Sequence, residues 1–241
     1  MASAVARPSG MPGGDCPRCP RLVAFRKTWR EREPDWFNAP VDSFGPIDAA
    51  LLIVGLAPGL RGANRTGRPF TGDYAGDLLY GTLLEFGLAR GSYQAKPDDG
   101  LELVDCRITN AVRCVPPENK PTPAEIATCR DFLAATVKEM PRLKAVLALG
   151  RVAHETFVVS SGARRSEVPF GHARIHKLGA LTLVDSYHCS RYNTNTGVLT
   201  PQMFRDAVAQ ARQAMQSSDM QSSNAHAYDM NSISEPSGSR K

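Results

Sequence analysis

No stretch of this chain approaches the roughly 18 consecutive apolar residues that a membrane-spanning helix requires, which excludes an integral helical membrane protein. The opening fifteen residues, MASAVARPSGMPGGD, contain no apolar h-region. A secretory signal is therefore not expected, and the cytoplasm, a reducing compartment, is. There the six cysteines are not expected to form three disulfides. Internal repeats are missing, as are the specific phosphate-cradling motifs. There is no GxxxxGK[ST], and the glycines at 55, 59, 62, 67, 72 and 76 never fall into GxGxxG. Charge of one sign is not in large excess. A net +5 over 241 residues permits a polyanionic partner without requiring one.

What is present describes a soluble globular protein, 42% apolar and 22% charged. Residues 1–15 are small and rich in proline and glycine, and read as a loose leader. From Gln216 onward the composition turns to Ser, Asn, Met and Gln without apolar periodicity, so 216–241 reads as a disordered tail. The folded part is expected to span 16–215. Within it, Leu22–Arg32 has helical character, and Ala49–Gly55 (AALLIVG) is a continuous apolar run suited to a strand buried on both faces. Helical spacing follows in Asp77–Leu88, a strand within Leu101–Ala111, and a helix over Thr122–Met140. That helix has Thr122 as N-cap, Pro123 at the first position and Glu125 completing a capping box. KAVLALG reads as a strand, Arg151–Val159 as a helix, ALTLVDSYH as a strand and Pro201–Met215 as a last helix. The alternation predicts one α/β domain with a largely parallel central sheet. In such sheets ligands lie beyond the carboxyl ends of the strands, and three polar clusters follow strand ends: Gly55–Gly76, Thr109–Pro117 and His188–Thr196.

The first cluster, GLAPGLRGANRTGRPFTGDYAG, is a long loop inside a compact domain, a feature that tends to be functional. Its bare backbone allows close approach of a flat ligand. Phe70 can supply a stacking face, and Asp73 either a base or the N-cap of the following helix. Cys16 and Cys19 form a CxxC, whereas Cys114 and Cys129 are widely spaced. Two such pairs in a reducing compartment suit an iron–sulfur cluster, which tolerates irregular spacing, or zinc. Unpaired core cysteines are the third possibility. Cys106 and Cys189 read as core residues.

Taken in order, CxxC, GLAPG, GRPFTGD, TNAVRC, the distant Cys129 and a closing H-x-S loop make the segment from Cys16 to about Met203 resemble the uracil-DNA glycosylase superfamily. The resemblance is greatest to its iron–sulfur families four and five. Leu56 stands where family four carries an acid, so family five is the better match. Cys189 departs from the proline usual in that family's last loop. The resemblance implies a three-layer α/β/α domain, a monomer, a [4Fe–4S] cluster on Cys16, Cys19, Cys114 and Cys129, and hydrolysis of the N-glycosidic bond of uracil in DNA. Other deaminated bases such as hypoxanthine or xanthine are included in that expectation.

On these residues the resemblance implies that Gly55, Leu56 and Ala57 lie against the substrate and that Phe70 stacks on a flipped base. Asn110 would read the imide edge of uracil with its amide. Asp73 would stabilise the sugar and orient water, since Leu56 cannot. His188 would donate to the leaving base, and Asn193 would reach the same pocket. Arg61, Arg65, Arg68 and Arg191 are the candidate phosphate contacts, with Tyr192 filling the gap left in the duplex. The basic segment GARRSEVPFGHARIHK is expected to line the groove or to form a solvated turn, and the histidines at 154, 172, 176 and 226 to be structural or at the surface. Two other readings are a metal-bearing nucleic-acid-binding module without catalysis and a nucleotide-binding glycine loop.

Overall fold

In a computed structural model, residues 10–229 are described. The chain begins with helix α1 (Pro20–Arg32), opened by a proline at its first turn where a missing N–H costs nothing. Strand β1 (Leu51–Gly55) follows, buried at every residue. The glycine loop contains a four-residue helix, α2 (Ala63–Thr66), before α3 (Tyr74–Glu85). The apolar region expected to hold one strand is divided. A two-residue ribbon of β2 (Ala89–Arg90) and β3 (Glu102–Leu103) precedes β4 (Cys106–Asn110). Asp105 makes the break: it adopts φ 51°, and its Oδ1 accepts from the Ala50 N–H at 2.9 Å.

Helix α4 (Pro123–Glu139) carries the capping box read from the sequence. Thr122 Oγ1 accepts from the Glu125 N–H at 3.3 Å, and Glu125 Oε2 accepts from the Thr122 N–H at 2.8 Å. Then come β5 (Ala145–Leu149), α5 (Arg151–Ser160), β6 (Ile175–Leu178), β7 (Leu181–Ser186), the short α6 (Arg191–Asn195) and α7 (Pro201–Asp229). The last helix thus continues past Met215 into the segment expected to be a tail, while residues 230–241 lie outside the described residues.

The strands form one sheet in the order β4-β1-β5-β7-β6. Its first four strands are mutually parallel, and β6 joins antiparallel through a two-residue turn at Gly179 and Ala180. The basic segment 162–177, expected to line a groove or form a turn, ends inside β6. Alternation of exposed and half-buried residues in Ile175–Leu178 marks it as an edge strand with one face to solvent.

Side-chain alternation along β1 divides the core. Leu51 and Ile53 face α3 and α7, packing with Leu79, Leu83, Phe204 and Val208. Leu52 and Val54 face the opposite layer, with Leu133 of α4 and Phe157 of α5. The result is a three-layer α/β/α domain: the alternation of elements predicted the parallel sheet, and the resemblance implied the three layers. No helix among the described residues is long and apolar enough to cross a membrane. The parallel strands β1, β4, β5 and β7 all point their carboxyl ends to one edge, and the loops gathered there build the site.

Candidate active site

A cavity of about 720 Å³ opens at that edge. Each parallel strand contributes to it through the residues at or just past its end: Leu56 after β1, Asn110 of β4, Leu149 and Gly150 at β5, and His188 after β7. Phe70 and Asp73 enter from the glycine loop. Thus the three polar clusters separated in sequence meet in one place. Gly55 makes their meeting possible, because a Cβ there would overlap both Asn110 Oδ1 and the Phe70 ring. Asn110 is 3% exposed, and its Oδ1 is buried without a hydrogen-bond partner. An orphaned buried acceptor costs about 1–3 kcal/mol, so such an atom points to a missing donor.

Phe70 occupies φ 52°, a strained backbone for a bulky side chain. Its surroundings hold it there. The Tyr80 hydroxyl donates to the Pro69 carbonyl at 2.6 Å, and the Tyr93 hydroxyl donates to the Phe70 carbonyl at 3.2 Å. Arg68 completes the clamp from inside the protein. Its guanidinium donates to both Asp99 oxygens at 2.8 Å and, through Nε, to Thr71 Oγ1 at 2.7 Å. It also lies over the rings of Phe44, Tyr80 and Tyr93. Arg68 is 5% exposed, so it corrects the expectation of a phosphate contact: a guanidinium spent on a buried carboxylate has no face left for DNA.

Asp73 is the N-cap of α3, its Oδ1 accepting from the Gly76 N–H at 3.2 Å. The second oxygen lies against the backbone at Gly59 and Gly62, where a Cβ would collide with it. Burial raises its carboxyl above the usual range, opposed by the N–H groups of Gly76 and Ala75. The capping and cavity roles therefore coexist in one side chain. His188 stacks beside Phe70, with ring centroids 5.9 Å apart and planes at 26°. Burial pulls its imidazole down to about 4, leaving it neutral and able to donate at ordinary pH.

Asn193 does not line the cavity. Its amide donates to the His188 carbonyl at 2.8 Å, so it holds the loop that presents His188. The Cys189 thiol, in place of a proline, is fully buried and donates to the Ala75 carbonyl at 3.6 Å, tying this loop to the first turn of α3. Arg61 and Arg191 are exposed and line the cavity, and Arg191 sits over the Tyr74 ring at 5.4 Å. Arg65 is exposed outside the cavity and Tyr192, 74% exposed, projects from α6.

Ala57 lines the cavity as well as packing among Leu22, Val112 and three cysteines. Tyr74, Asn119 and Arg151 also line it, and the sequence reading did not single them out. For Asn119 a signal existed. PPENK is a turn sequence, and Glu118 and Asn119 both adopt positive φ, at 55° and 56°, a conformation asparagine tolerates.

Behind Ala57, Cys16, Cys19, Cys114 and Cys129 surround a second, small cavity with Leu22, Val112 and Phe132. The Arg113 N–H donates to Cys129 Sγ at 3.3 Å, and Arg26 Nη1 donates to Cys114 Sγ at 3.4 Å. A single tetrahedral zinc at about 2.3 Å from each sulfur holds thiolates about 3.8 Å apart. No three of these cysteines meet the 4.8 Å separation that His154, His176 and Asp185 meet among the described residues. Four thiols converging on one small cavity are a donor set of the kind an iron–sulfur cluster or a tetrahedral zinc uses.

The His154–Asp185–His176 trio is already engaged. His154 Nδ1 lies 2.7 Å from Asp185 Oδ1, and its Nε2 lies 2.8 Å from the Val168 carbonyl. His176 Nε2 and the Gly171 N–H take the other Asp185 oxygen, at 3.1 and 3.2 Å. This pins residues 168–176 to the end of β7, a structural task in keeping with the sequence expectation. His172 lies in the pinned segment, its Nδ1 accepting from the Tyr187 N–H at 3.1 Å.

The cavity thus joins an aromatic face, a buried amide, a carboxylate and a neutral imidazole at the carboxyl edge of a parallel sheet. The family model of the Uracil DNA glycosylase superfamily matches residues 43–212. A type-5 uracil-DNA glycosylase of Thermus thermophilus is 44% identical over 204 residues, covering 82% of this chain and 92% of the relative. One from Pyrobaculum aerophilum is 37% identical over 201 residues, covering 82% and 88%. A type-4 uracil-DNA glycosylase of Thermotoga maritima is 35% identical over 147 residues, covering 61% and 67%. The chain belongs to the uracil-DNA glycosylase superfamily, on its type-5 branch.

Two outcomes follow from the electrostatics. Asp99→Ala strands the Arg68 guanidinium and should lower unfolding stability by about 3–5 kcal/mol. The double variant R68M/D99L should cost less than Asp99→Ala alone. Urea denaturation measures both, and a loss in the double variant as large as that of Asp99→Ala, or larger, would contradict this coupling. For His188 the unfolded value is 6.5 and the folded value about 4. As pH falls from about 6.5 toward 4 the unfolded chain takes up a proton that the folded one refuses, so stability should fall through that window. Melting temperatures of wild type and H188Q across it should converge at low pH; parallel curves would exclude this linkage.

Proposed function

We propose that this chain hydrolyses the N-glycosidic bond of uracil in DNA, acting on a nucleotide flipped out of the duplex. The unpartnered, buried Oδ1 of Asn110 beside Phe70 carries the reading. The imide N–H of uracil supplies the donor that atom lacks, and the amide NH₂ can serve a neighbouring base oxygen. Phe70 offers its face to the base, with the strain of its backbone already met by the fold. The type-5 and type-4 relatives, named for uracil-DNA glycosylase, support the same substrate.

Departure of the base leaves positive character on the sugar and negative charge on the base. The neutral imidazole of His188 donates to the base oxygen as that charge grows. Asp73 lines the cavity, and its carboxylate stabilises the sugar and orients the attacking water. Arg61 and Arg191 at the rim meet phosphates, and Tyr192, exposed on α6, enters the duplex where the nucleotide has left. A cavity of about 720 Å³ also has room for a purine, which supports hypoxanthine and xanthine as further substrates.

Cys16, Cys19, Cys114 and Cys129 would hold a [4Fe–4S] cluster, which cross-links the residues before α1 to the segment after Asn110 and contributes structure, not chemistry at the base. Its N–H···S donors are Arg113 and Arg26.

Asp73→Asn and Asn110→Ala should each lower the single-turnover rate of uracil release by about 10²–10³-fold, with the fold intact by circular dichroism. Retention of wild-type rates by either variant contradicts its assigned role. Purified protein should be brown, with broad absorbance near about 400 nm that is lost in C114S. A colourless protein carrying stoichiometric zinc would overturn the cluster.

A further inference from the structure

A second open groove, of about 660 Å³, lies beside the active-site cavity and has no part in the chemistry described above. Phe37, Arg65, Gln94 and Lys96 line it, together with one acid, Asp35. The two spaces share a wall. Gly72 lines the active-site cavity, and Arg65 Nη2 lies 2.9 Å from where a Cβ on Gly72 would stand. The groove is therefore continuous with the glycine loop that shapes the catalytic pocket.

Phe37 is a large apolar side chain left 44% exposed, and it is not loose. Its N–H donates to the Arg65 carbonyl at 3.0 Å, and the next N–H, of Asn38, donates to the Asn64 carbonyl at 3.0 Å. The side chains of Asn64 and Asn38 are joined by a buried bond of 2.8 Å. One face of the Phe37 ring rests on Gly67, which has φ 77° and whose Cβ, if present, would stand 2.8 Å from the ring. Part of the ring's surface is turned to solvent. Arg65 and Lys96 are exposed, and neither is in an ion pair among the described residues. A rigid aromatic face flanked by unpaired cations is the combination that binds single-stranded nucleic acid: stacking takes the base and the cations take the backbone.

We propose that this groove holds an unpaired nucleotide of the lesion strand flanking the flipped one, its base stacked on Phe37 and its phosphate against Arg65 and Lys96. The inference rests on the reading of the chain as acting on DNA. It adds a second site, which gives the protein a purchase on unpaired DNA that a continuous duplex does not use.

The test is fluorescence anisotropy with a labelled single strand of about 12 nucleotides and with its duplex, both containing one uracil, using the metal-loaded full chain with the Asp73→Asn background to prevent turnover. Adding Phe37→Ala should weaken single-strand binding roughly 5- to 150-fold and leave duplex binding within about twofold. Phe37→Trp should restore single-strand affinity and show fluorescence quenching as the base stacks. Thermal melts control for folding. Unchanged single-strand affinity in the Phe37→Ala variant would overturn the proposal, as would an equal loss on both DNAs or failure of Phe37→Trp to restore binding. Uracil release by the Phe37→Ala single variant, measured on saturating duplex, separates the two readings. Normal release with unaltered single-strand binding sinks the groove alone, whereas no release by wild type sinks the glycosylase reading whatever the groove does.

Discussion

The Arg68 guanidinium sits inside the protein against both oxygens of Asp99 and beneath three aromatic rings, and the geometry of the pocket depends on this clamp. Burying such a pair yields little net stability compared with an apolar alternative. What it provides is position. It fastens the glycine loop to the segment around Asp99, whose carboxylate also accepts from the N–H groups of Gln94 and Leu101. Between these anchors Phe70 is kept at a positive φ with its ring over Gly55. Strain of this sort, of order 1–3 kcal/mol, persists where the surroundings over-determine it. Arg68 holds Asp99 well below the usual carboxylate range, so the clamp is fully charged at neutral pH and weakens only in acid.

Around that loop the parallel sheet acts as a frame. The register of β4 on β1 sets Asn110 level with Gly55, so the recognising amide and the bare backbone it needs arrive together. From β7 the His188 loop is drawn in by Asn193 and by the Cys189 thiol on Ala75. The four cysteines lie on the far side of Ala57, which touches both spaces. Ala57 is thus a wall common to the cysteine cluster and the active-site cavity.

Much of this was legible in local chemistry. Continuous apolar runs marked buried parallel strands, Thr122–Glu125 marked a helix start, and the motifs around Phe70, Asp73, Asn110 and His188 named residues that share one cavity. Other features were hidden for physical reasons. Arg68 looks like Arg61 and Arg65 in the sequence, because charge alone does not reveal a carboxylate 31 residues away. Asn193 sits in the right loop but acts through the His188 carbonyl, a matter of backbone course within α6. Asn119, Tyr74 and Arg151 reach the cavity through tertiary placement. The edge strand β6 was masked by its short, mixed sequence, in which Ile175 and Lys177 turn outward while His176 turns in to Asp185.

Base release itself is the most direct measurement. Wild-type protein with its cysteine site loaded should be incubated with strands identical except for one uracil or one thymine, single-stranded and paired with adenine or guanine, and scored for abasic product. Abasic sites forming at uracil and not at thymine are the predicted result. No abasic product from any uracil strand would contradict the account at its centre.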